Sequence, residues 1–183
     1  MTDTPPTHRR APWQVDAVLI ADPVFNADGR LHAWGRLPDT TWRDLAPLLS
    51  ERYDRIGFSA YPADGAFIDG GIARALDIES CEPMPDTEVD GERYDLCVCD
   101  FSAYTAYLLG QTGFNHWHST DPDLHSDEVC FLKDGRVELL AQPWRSMLRF
   151  FAVEHPLLQR VEAANVRYRG SVFVLEHGRF RGI

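Results

Sequence analysis

The chain has 183 residues, 44% of them apolar and 10 of them Phe, and carries a net charge of −10. That length suits one domain, and the apolar share excludes a disordered chain, which lacks the side chains to offset its conformational entropy. The acidic balance argues against nucleic-acid binding, because phosphate contact calls for a basic stripe.

The charged start has no apolar run behind it that could act as an export signal. The nearest such run, Ala17-Val18-Leu19-Ile20-Ala21, suits a strand and is far short of the ~20 residues that span a bilayer. A cytoplasmic location with no membrane partner follows as the expectation. The four cysteines, Cys81, Cys97, Cys99 and Cys130, are then expected to be reduced.

Residues 1–12 read as a flexible N-terminal tail, followed by a single α+β domain over residues 13–183. Gln14–Ala21 and Leu31–Arg36 read as strands joined through Asn26-Ala27-Asp28-Gly29, whose residues tolerate left-handed angles. Asp39 or Thr40 can cap a helix to about Tyr53, since Trp42, Leu45, Leu48 and Leu49 gather on one helical face despite Pro47. Ile56–Tyr61 and Ala66–Asp69 read as short strands about a Pro62-Ala63-Asp64-Gly65 turn, with a short helix at Ile72–Asp77 after them.

Residues 78–93 hold Pro83, Pro85, Gly91 and several acidic side chains, and predict an exposed loop. Tyr94–Cys99 is nearly all apolar, as a strand buried on both faces would be. Ser102 can cap a helix through Leu109, with Gly110 just past its end. Glu128–Leu132 and Arg136–Ala141 flank Lys133-Asp134-Gly135 as a hairpin.

Pro143 suits a helix start, and Trp144, Met147, Leu148 and Phe151 follow at i, i+3, i+4 and i+7. The spacing therefore predicts a helix that Pro156 would end. A further helix over Leu157–Ala164 and a long strand over Val166–Glu176 complete the chain. The expected fold is α+β: a mixed, largely antiparallel sheet built from hairpins, with three to five helices packed on it.

Charge is concentrated in the middle. Residues 77–128 carry 13 acidic side chains against one basic, Arg93, whereas residues 129–183 carry nine basic against five acidic. An acidic segment of this kind can steer and hold a basic protein partner. Glu82, Asp86, Glu88, Asp90, Glu92, Asp121 and Asp123 are the candidate contact residues. The corresponding function is a non-enzymatic binding or inhibitor protein, with an immunity protein as the example, and no cofactor is expected.

The alternative lies in the segment from Gly113 to Glu128. His116 and His118 are two apart, so an extended backbone would point both imidazoles to one side. With His125 and a neighbouring carboxylate they could hold a divalent metal whose bound water attacks a substrate, giving a metal-dependent hydrolase. No catalytic motif singles out other residues, and whether the chain is an enzyme stays open on sequence alone.

Overall fold

The computed structural model describes residues 13–59, 82–114, 128–165, 170–176 and 179–183. The tail at 1–12, the expected strand at 66–69 and helix at 72–77 lie outside these residues.

The described chain forms β1 (Gln14–Phe25), β2 (Leu31–Gly35), α1 (Thr41–Ser50), β3 (Arg55–Ser59), β4 (Glu82–Val89) and β5 (Glu92–Asp100). It continues through α2 (Ala103–Gly110), β6 (Val129–Lys133), β7 (Arg136–Gln142), β8 (Met147–Glu154), α3 (His155–Asn165), β9 (Gly170–Glu176) and β10 (Arg179–Gly182). All ten described strands join one antiparallel sheet in the order β10-β9-β1-β8-β7-β6-β3-β5-β4, with β2 paired to the far end of β1.

This corrects the expected α+β fold with three to five helices on a mixed sheet. The fold is dominated by its sheet, and the described residues hold three α-helices.

The largest single reason is the segment after Pro143. Only Pro143–Arg145 is helical, as one 3-10 turn, and Ser146 then adopts a left-handed φ of 53° that ends it. The next eight residues form β8, paired to β7 on one side and β1 on the other. Met147 and Phe151 pack on one face of the sheet, while Leu148 and Phe150 pack on the other. A strand apolar on both faces also fills the i, i+3, i+4, i+7 positions of a helix, so the spacing could not separate the two. Pro156, expected as a terminator, sits instead in the first turn of α3, where its missing donor does no harm.

One face of the sheet carries all three helices. Trp42, Leu45 and Leu49 of α1, Leu109 of α2 and Leu158 and Val161 of α3 share a core with Leu19, Phe131, Phe150 and Val172 of the strands. Pro47 lies within α1 without ending it. Ser102 caps α2 as expected, its hydroxyl accepting from the Thr105 N–H at 3.2 Å.

The opposite face is also apolar, with Leu96, Val98, Cys130, Leu132 and Leu140 in one cluster and Val18, Ile20 and Met147 in a second. It is concave. In a flat sheet β5 and β8 would stand about 19 Å apart, four strand spacings. Yet Asp90, at the tip of the β4–β5 hairpin, ion-pairs with Arg149 of β8. The sheet coils until that tip reaches across its own hollow side.

A bulge helps to bend it. Phe151 and Ala152 of β8 stand opposite the single residue Asp16 of β1. The Ala152 N–H donates to Asp16 Oδ1 at 2.9 Å, and Ala152 itself is left-handed at φ 51°. An L-residue with a Cβ is strained there, so Ala152→Gly is expected to raise the unfolding free energy by about 1 kcal/mol. The urea midpoint reads the effect; an unchanged midpoint would show that the bulge stores no strain.

No described helix is long and apolar enough to cross a membrane.

Candidate functional site

The acidic segment expected as a loop is an edge strand and its turn, from Glu82 onward. Its two prolines and five carboxylates resemble loop composition, yet a terminal strand tolerates both, because one side of it needs no hydrogen-bond partner. The turn that joins β4 to β5 is Asp90-Gly91, with φ of 53° and 81°. Two consecutive left-handed residues match the twist of the flanking strands. Asp134-Gly135 makes the same turn between β6 and β7.

Between Glu82 and Asp100 the hairpin carries seven carboxylates, Glu82, Asp86, Glu88, Asp90, Glu92, Asp95 and Asp100, and one basic side chain, Arg93. All seven are exposed. Their placement follows from the pairing, since residues directly opposite share a face. Glu82 faces Val98 and Glu92 faces Val89, on the hollow side, whereas Glu88 faces Arg93 on the other.

Several of these charges have internal partners. Arg55 Nη2 lies 3.0 Å from Glu82 Oε2, and its Nε is 3.6 Å from Asp100 Oδ1. Arg93 Nη1 lies 3.4 Å from Asp86 Oδ1, and Arg149 pairs with Asp90. Tyr94 donates its hydroxyl to Glu92 Oε2 at 2.7 Å. Burial, and then that bond, push the Tyr94 phenol well above its ordinary pKa, so it is a fixed donor at neutral pH. Glu88 has no ion-pair partner among the described residues.

The internal pairs are exchangeable. An ion pair between exposed side chains is worth about 0–1 kcal/mol, so an incoming arginine or lysine can replace the internal one at little cost. They hold the carboxylates in place without cancelling their use.

The edge itself is closed to strand addition. Pro83 and Pro85 lack N–H donors, and the ladder breaks between Met84 and Thr87, where Asp86 turns left-handed at φ 54°. Contact through side chains, not through an added strand, is what this surface offers.

Of the residues singled out from sequence, Glu82, Asp86, Glu88, Asp90 and Glu92 come together on this hairpin. Asp121, Asp123, His116, His118 and His125 lie outside the described residues. Among the described residues no group of three or more His, Cys, Asp or Glu side chains gathers as metal ligands would.

Sequence reasoning missed Asp95 and Asp100, masked by the apolar run between them, and the distant counter-charges Arg55 and Arg149. The Asp90-Gly91 dipeptide was the overlooked signal that the acidic segment turns back as a hairpin. Comparison with protein-family models, curated proteins and solved structures finds no match to this chain.

Proposed function

We propose that the β4–β5 hairpin is a docking surface for a basic protein, and that the chain is a binding or inhibitor protein. One observation carries the reading: seven exposed carboxylates against a single arginine on one hairpin. Such a surface draws a cationic protein in by long-range attraction and repels nucleic acid. Little is lost on docking, because the pairs with Arg55, Arg93 and Arg149 lie at the surface and give way to a partner's cations. An inhibitor that covers the surface of a basic enzyme, as an immunity protein does, is the form of binding this geometry suits.

The test is charge reversal where it breaks no internal ion pair. Wild-type protein and the Glu88→Lys/Glu92→Lys variant serve as parallel baits. A protein retained by the wild type is then purified, and its affinity for both baits measured at low and physiological salt. The expected result is a basic partner that binds the variant at least about tenfold more weakly and loses affinity as salt rises. Both substitutions are exposed, so thermal unfolding should shift little. A partner held equally by both baits, or affinity indifferent to salt, would refute the docking role.

A further inference from the structure

We propose that the hollow beneath the hairpin tip is a second site, which binds a small organic carboxylate with an apolar body. It shares Asp90 and its partner Arg149 with the acidic docking face, and its other lining residues come from β1, β8, β9, β10 and the turn before β8.

The hollow measures 310 Å³, within the range of small-molecule pockets. Its walls are Val18 of β1, Met147 and Phe151 of β8 and Phe180 of β10, with Arg145 and Arg149 beside them. An apolar chamber with two guanidinium groups fits a ligand that is greasy along its length and anionic at one end.

Arg145 is held ready for that anion. Its guanidinium lies 4.3 Å from the centroid of the Trp144 ring. Its carbonyl accepts the Trp34 indole N–H at 2.5 Å, and the next residue, Ser146, accepts the Leu37 N–H on its hydroxyl at 2.7 Å. Two long-range hydrogen bonds thus anchor the turn that carries Arg145. Among the described residues no carboxylate stands within ion-pair distance of Arg145, on a chain whose net charge is −10. A positioned guanidinium with no described carboxylate within ion-pair distance, at the wall of a largely apolar hollow, is a carboxylate receptor in form.

Backbone strain points to the same place. The described residues hold six non-glycine positions with left-handed φ; one of them, Asp90, lines this hollow, and two more, Ser146 and Ala152, are chain neighbours of Met147 and Phe151, which line it. Strain of this kind persists where the surrounding structure imposes it, so the backbone around the hollow is rigidly set.

Asp16 and Asp90 also line the hollow, and they select the head group. A phosphate dianion would meet two carboxylates. A monoanionic carboxylate meets less repulsion and matches the planar guanidinium fork. Arg149 is shared, since a bound carboxylate draws it away from Asp90.

Octanoate is the probe and 1-octanol its neutral counterpart, both titrated by calorimetry into the full chain. Octanoate should bind at one saturable site, with octanol at least about tenfold weaker. Arg145→Gln should weaken octanoate about tenfold, and its exposed position leaves thermal unfolding as a check that the fold persists. Asp90→Asn, which releases Arg149, should strengthen octanoate severalfold. Glu88→Lys, on the hairpin face turned away from the hollow, should leave octanoate unaffected, so either proposal can fail without the other. No saturable binding, equal affinity for octanol, or indifference to Arg145→Gln would each overturn the assignment.

Discussion

Replacing Trp42 with alanine should lower the unfolding free energy by about 3–5 kcal/mol. Trp42 is fully buried where α1 meets the sheet, its ring 5.1 Å from that of Phe114 and 5.8 Å from that of Phe131. Truncation removes the aromatic surface and leaves a void that rigid strands below cannot collapse to fill. Domains of this size are stable by about 5–15 kcal/mol, so the variant should be marginal at room temperature. The urea midpoint of Trp42→Ala against Trp42→Phe measures it. A loss under about 1 kcal/mol would mean that α1 does not pack on the sheet through this ring.

Alkali should unfold the protein cooperatively, through the buried phenol of Tyr53. The Tyr53 hydroxyl is buried with no hydrogen-bond partner among the described residues, beside the pair between Arg52 and Glu138 at 2.9 Å. Burial, and then the Glu138 carboxylate, push its pKa far up, and Arg52 only partly opposes them. The folded pKa thus lies above the unfolded value of about 10, which favours folding fully below pH 10. That contribution declines as pH rises past 10, because the unfolded chain ionises first.

Phenolate absorbance from Tyr53 should therefore appear together with loss of structure rather than before it. Tyr53→Phe removes the effect and the buried hydroxyl at once. It should unfold at higher pH than the wild type and be no less stable at neutrality. A Tyr53 signal that titrates near pH 10 in the folded state would show that this residue is solvated.

Local chemistry was legible wherever one short segment decided the outcome. The Asp134-Gly135 hairpin, the Ser102 cap and the apolar face of α1 each depend on a few adjacent residues, and each formed as read. The segment after Pro143 was misread because burial on both faces erases the period that tells strand from helix. The acidic segment was misread because edge-strand composition resembles that of a loop. Its charge was legible, but the arginines that position it come from β3 and β8. Nothing local to Glu82 or Asp90 announces Arg55 or Arg149. The hollow was invisible for the same reason, since β1, β8 and β10 meet there from both ends of the chain.

The central place of β1 also sets a timetable for folding. Ala17 pairs with Phe150 on one side and Val174 on the other, so β1 depends on partners made long after it. Until then its apolar run has no sheet to enter. Loops that long are slow to close, and the nascent chain must shield Val18, Leu19 and Ile20 meanwhile. Synthesis would therefore be the stage most exposed to aggregation. A chain cut short before β9 would leave one side of β1 bare, a lasting substrate for chaperones rather than a smaller version of the same protein.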